Sequence, residues 1–169
     1  VDMSRFQAYE IFGPGVSALQ RVSDLATVLG LGMIIALWVR SFHHPQPSAT
    51  AVGLIILATV AIMIVTNKTL SPQYLLWMGG PMAVLLQLRP EQPPELRRQT
   101  NRLAWQLVAL ALLTHLVYPL FYDSLLGRHG TAGIIASTVV VTVRNVALVA
   151  FTIEVCRIAW RSLRPAPLV

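Results

Sequence analysis

Five long apolar runs, parted by short segments that carry most of the arginines, constrain this chain more than any other feature. They fall at about 22–39, 49–66, 72–88, 103–122 and 131–158. A hydrocarbon core about 30 Å thick is crossed by roughly 20 helical residues, and each run comes near that length. None alternates apolar and polar residues with the period of two that a barrel strand needs, so the runs read as helices. Composition agrees. Only 12% of the 169 residues are charged while 55% are hydrophobic, against roughly 25% charged in soluble domains. The expected fold is all-α: a polytopic integral membrane protein with about five transmembrane helices.

The formal charge of +6 comes from 13 Lys and Arg against 7 acids. A nucleic-acid surface would cluster these basic residues beside aromatics. Here they sit between apolar runs, where membrane topology places them, and no nucleic-acid partner is expected. With the C-terminus cytoplasmic, the inner segments hold Arg40, Arg89, Arg97, Arg98, Arg102, Arg157, Arg161 and Arg164. The outer ones hold Arg5, Arg21, Lys68 and Arg128. Eight against four orients the chain with its N-terminus extracytoplasmic and its C-terminus in the cytoplasm, as a multi-pass protein of the cell (plasma) membrane. The expected division is 1–21 extracytoplasmic, 22–160 transmembrane and 161–169 a cytoplasmic tail. Cys156 is the single cysteine and reads as a small apolar side chain, since no disulfide or cysteine-rich metal site can form within the chain.

An outer N-terminus normally follows a signal peptide or an earlier span, and residues 1–21 resemble neither. The expectation is a C-terminal portion of a longer polytopic protein. The alternative is a small complete protein with an exposed tail. The stretch PEQPPELRRQ is the one linker-like segment; its prolines stop one helix and its charged end begins the next.

Ionisable groups at membrane depth are costly, so function is sought where this rule is broken. Arg144, followed by Asn145, lies 13 residues before Arg157 and so about 20 Å along a helix from that anchor. A polar cavity binding an anion would account for it, since the guanidinium fork suits phosphate. The alternatives are an internal ion pair, or snorkelling in a helix that starts late.

The second place is the segment Asn67-Lys68-Thr69-Leu70-Ser71-Pro72-Gln73-Tyr74-Leu75-Leu76-Trp77. It carries the only lysine and a proline placed to open a helix, whose free N–H groups favour an anion. The alternative is an interfacial belt of Lys, Tyr and Trp. Gly79-Gly80-Pro81 predicts a kink or break in the same span, and close helix packing also explains its glycines. His115 reads as a hydrogen-bonded packing residue. His43-His44 have no companion ligands, so no metal is expected. Glu154 is expected to pair locally with Arg157 or Arg161. Arg5, Glu10 and Asp123 read as solvated residues of the outer face.

The segment NKTLSPQYLLW resembles the motif of polyprenol-phosphate-mannose-dependent mannosyltransferases of glycosyltransferase family 87, in the C-type glycosyltransferase superfamily. Members commonly read N-K-V-x-S-P-Q-Y-x-x-W before an apolar span containing proline. Asn67, Lys68, Ser71, Pro72, Gln73, Tyr74 and Trp77 match, while Thr69 replaces the usual aliphatic residue. The pair Arg144-Asn145 is similar to an Arg-Asn in the closing span of that family. RFQAYE near the start is loosely similar to an outer-loop segment.

The resemblance implies a part of a larger C-type glycosyltransferase fold. It implies transfer of a hexose, usually mannose, from a polyprenyl-phosphate carrier to a glycan or glycolipid acceptor on the extracytoplasmic face. The donor is a substrate, so no cofactor is expected, and membrane lipids surround the site. Lys68 and Arg144 would hold the carrier phosphate, with Ser71, Gln73, Tyr74 and Asn145 completing the donor site. The family's catalytic carboxylate lies in the first outer loop of a longer chain, so the catalytic base is unassigned here and these residues are expected to be inactive alone. The competing class is a non-enzymatic membrane component, such as a transporter fragment or an assembly partner, in which Arg144 meets a transported anion or a neighbouring helix.

Overall fold

A computed structural model describes residues 13–67, 73–125 and 130–163, together with the backbone of 2–3 and 9–10. Asp2–Met3 and Tyr9–Glu10 form a two-residue antiparallel ladder, β1 with β2. The other described elements are helical. Helix α1 spans Val16–Phe42, α2 Ala49–Thr66, α3 Tyr74–Gln87, α4 Pro94–His115, α5 Tyr122–Leu125 and α6 Thr131–Ser162. The expected all-α class therefore holds.

Local chemistry sets several of these boundaries. Ser48 caps α2, its hydroxyl accepting from the Ala51 N–H at 3.2 Å. Pro94 opens α4, where its missing N–H costs nothing, and Glu95 follows in the first turn. Between α3 and α4 a 3-10 turn, Arg89–Glu91, leads to the buried Gln92. Its amide donates to the Leu85 carbonyl at 3.0 Å and accepts from the Thr100 hydroxyl at 2.9 Å, tying the two helices together.

Helix α2 is the centre of the bundle, packed against α1, α3 and α6, while α4 packs on α6 and α3. It is apolar all round, as a helix with protein on several sides must be. Two glycines permit this approach. A Cβ on Gly30 would stand 2.7 Å from Ile62 Cγ2, and one on Gly53 would stand 3.0 Å from Leu85 Cδ2. By contrast α1 buries only Leu37 and Ser41 and presents Leu25, Val28, Leu29 and Ile35 outward, as a lipid-facing helix does.

The spans differ from expectation in three ways. Four helical stretches are long and apolar enough to cross a membrane: Val16–Phe42, Ala49–Thr66, Pro94–Leu120 and Thr131–Ser162. The expected third span is the 14-residue α3, about 21 Å long, which falls short of a full crossing. Helix α1 also begins inside the segment expected to be extracytoplasmic, and α6 runs to Ser162 rather than ending near 158.

The break also lies elsewhere. Helix α3 runs unbroken through Gly79-Gly80-Pro81. A residue before proline is pushed out of the helical region partly through its Cβ, and Gly80 has none. No neighbouring atom lies within 4 Å of a Cβ built on Gly79 or Gly80, so close packing among the described residues does not explain them. The break occurs instead at Leu116–Leu120, where Tyr118 precedes Pro119 and adopts φ −133°, ψ 118°. That is the extended conformation a side-chain-bearing residue takes before proline.

Two contacts assign the ends of the bundle. Arg40 lies over the Trp160 ring, 4.6 Å from its centroid, and the chain enters α2 at Ala49, seven residues after Phe42. The end of α1, the start of α2 and the end of α6 therefore share one side. On the other side the Thr27 hydroxyl donates to the Thr66 carbonyl at 3.1 Å.

A candidate anion site around Arg144

The buried face of α6 carries Ser137, Arg144, Leu148, Phe151 and Val155 in succession, a helical stripe of spacing 7, 4, 3 and 4. Arg144 belongs to this stripe and is 6% exposed. It lies 16 residues before Trp160, so about 24 Å along α6 from the Arg40 side. Helix α2, 18 residues long, rises about 27 Å from the same side. Arg144 thus stands near the level of Thr66, in the half of the bundle away from Arg40.

Its guanidinium is held by its neighbour. Nε donates to Asn145 Oδ1 at 3.1 Å and Nη2 donates to the same oxygen at 2.7 Å. An arginine has five N–H donors; two are used here, and the remaining three meet no acceptor among the described residues. No described carboxylate pairs with it. The snorkelling alternative does not fit, because α6 begins at Thr131, well before Arg144, and the side chain is buried; among the described residues no ion pair compensates it. A buried cation without a counter-charge is a site that an anion would complete.

A second unsatisfied group lies at the same height. Glu154 of α6 faces Arg102 and Gln106 of α4, pairing with the Arg102 guanidinium and accepting from Gln106 Nε2 at 2.9 Å. Ten residues further along each antiparallel helix, this register brings Arg144 level with Thr114. Thr114 is 4% exposed and its hydroxyl has no hydrogen-bond partner. Sequence reasoning missed it, because a threonine in an apolar run carries no signal until the register of α4 on α6 is known.

The same contact corrects the reading of Glu154, which reaches across to α4 instead of pairing locally with Arg157 or Arg161. Arg157 and Arg161 share the helical face of Glu154 but are exposed and line a groove with Trp160, while the Glu154 carboxylate is taken by Arg102 and Gln106. His115, expected to pack, is exposed at the last turn of α4.

The motif residues divide. Lys68 and Ser71, with Thr69, Leu70 and Pro72, lie outside the described residues. Gln73 is exposed in helical conformation just before α3, whose first turn has no side-chain cap. Tyr74 is half-buried against the core and its ring lies 4.7 Å from that of Trp77, which is 57% exposed. Asn67 ends α2 and helps to line a groove of about 400 Å³ with Asp24, Thr27 and Thr66. These residues occupy the same end of the bundle as Arg144, but no described hydrogen bond joins them to it. Among the described residues no group of three or more His, Cys, Asp or Glu could hold a metal ion.

Fold and composition together define a membrane-embedded, all-α protein with its one buried, uncompensated cation in the half away from Arg40, counted among the described residues. No protein-family model matches the chain, and neither the curated proteins nor the solved structures compared with it give a match.

Proposed function

We propose that this chain is the carrier-binding part of a membrane glycosyltransferase, which moves a hexose such as mannose from polyprenyl phosphate to a glycan or glycolipid on the extracytoplasmic face. The observation that carries the reading is Arg144: buried in an apolar bundle, oriented by Asn145, and without a carboxylate among the described residues. The NKTLSPQYLLW segment supports it, since Asn67 and Gln73 share that end of the bundle.

In such a transfer the bond between the anomeric carbon and the phosphate oxygen breaks, and the electron pair leaves with phosphate. The acceptor oxygen bonds to the anomeric carbon and its proton passes to a base elsewhere in the enzyme. Charge on the departing phosphate grows, and a fixed guanidinium in a water-poor site stabilises that growth. Lys68, Ser71, Gln73 and Tyr74 would bind the remaining phosphate and sugar oxygens. The test is sugar transfer from polyprenyl-phosphate-mannose by the intact protein. Arg144→Gln should lower the rate about a hundredfold or more; an unchanged rate and donor affinity refutes the assignment.

A non-enzymatic reading has one observation in its favour. The break at Leu116–Leu120 packs against α6, and interrupted helices line substrate pathways in transporters. Anion movement across vesicles without release of sugar from the donor would establish that reading instead.

A further inference from the structure

At the opposite end of the bundle a groove of about 470 Å³ runs between α1 and α6. Arg157 and Arg161 line it together with Trp160, and Met33, Ile153 and Cys156 form its apolar part. Met33 is seven residues from Arg40 and Ile153 seven from Trp160, so the apolar part reaches about 10 Å from the arginines into the bundle. Thr152 adds no polarity, because its hydroxyl is already bonded to the Leu148 carbonyl at 2.8 Å.

The charged end is rich in donors and poor in acceptors. Arg40 lies over Trp160, and its Nε is buried without an acceptor. The nearest acid on α6, Glu154, is engaged by Arg102 and Gln106. No carboxylate among the described residues pairs with Arg40, Arg157 or Arg161. Arg157 and Arg161 thus stand at the mouth of an apolar channel, beside the Arg40–Trp160 pair.

We propose that this groove binds an anionic phospholipid of the adjacent leaflet, with its phosphate between Arg157 and Arg161 and one acyl chain along Met33, Ile153 and Cys156. Charge complementarity selects the anion, and the apolar extension requires that the anion carry a chain. Basic pockets between transmembrane helices capture lipid headgroups by this chemistry. The proposal is independent of the Arg144 site, which lies about 24 Å away along α6.

The test uses the intact protein in mild detergent. Phosphatidylglycerol and phosphatidylcholine of equal chain length are titrated separately, and bound lipid is counted by native mass spectrometry. Each arginine near a headgroup contributes roughly fivefold in affinity, so the pair Arg157 and Arg161 should favour phosphatidylglycerol by on the order of twentyfold. Arg157→Gln with Arg161→Gln should abolish this preference, and Arg161→Gln alone should lower it about fivefold should the double variant not fold. Arg98→Gln, on the exposed side of α4, should keep it. Ile153→Trp should fill the channel and reduce retention of both lipids. Equal retention of the two lipids by the unaltered protein overturns the proposal, as does a preference that survives the arginine variants. Displacement by soluble glycerol phosphate would show a headgroup site that needs no chain, and would overturn it too.

Discussion

Replacing Arg144 by methionine should leave the protein at least as stable as before while weakening anion binding. A central arginine costs about 2.5–3.5 kcal/mol on insertion scales. Its described compensation is Asn145, whose oxygen takes two hydrogen bonds from the guanidinium. Because both bonds share one acceptor oxygen, they count as a single charge-assisted interaction of about 1.5–3 kcal/mol. The difference puts Arg144→Met between roughly zero and 2 kcal/mol more stable, because methionine fills similar volume and Asn145, being exposed, can turn to other partners. Asn145→Ala should act in the opposite sense and lose about 1.5–3 kcal/mol, since it leaves the charge buried and the fork unheld. Denaturant unfolding of the intact protein in detergent, without donor, measures both. A loss of more than about 2 kcal/mol in Arg144→Met would refute the reasoning, because it would reveal a strong structural partner.

Three further outcomes follow from the packing. Gly30→Ala should lower stability by about 1–3 kcal/mol through the clash with Ile62, while Gly79→Ala, in open space, should be neutral or gain up to about 1 kcal/mol; thermal unfolding of the two variants compares them. Gln92→Ala removes a buried amide that joins Leu85 to Thr100 and should cost about 1–3 kcal/mol in the same assay. Glu154→Gln should cost less than about 1 kcal/mol, since Arg102 is 61% exposed and solvent screens the pair; a larger loss would mean that the α4–α6 register depends on it.

Much of the fold was legible because lipid imposes a simple rule. The apolar runs at 49–66 and 131–158 correspond to α2 and α6, and Arg144 could be singled out by its depth alone. What the sequence hid depends on neighbours. Pro81 and Pro119 look alike in an apolar run, yet only Pro119 breaks its helix, and the glycine before Pro81 explains the contrast. Gly30 and Gly53 are the close-packed glycines rather than Gly79 and Gly80, and nothing in local spacing distinguishes them. Glu154 follows the same pattern. Two arginines lie three and seven residues beyond it, but Arg102 and Gln106, set by the register of α4 on α6, take its carboxylate. Thr114 became a site candidate only through that register.

The central claim is that Arg144 holds the phosphate of a lipid carrier. Its most direct test compares binding of polyprenyl phosphate and of the phosphate-free polyprenol to the intact protein and to Arg144→Gln. Polyprenyl phosphate should bind the unaltered protein tenfold to about a hundredfold more tightly than polyprenol, the range of one charge-assisted hydrogen bond. In Arg144→Gln this preference should fall about tenfold or more, with Lys68 still in place. Equal binding by the unaltered protein, or a phosphate preference undiminished in the variant, would contradict the account.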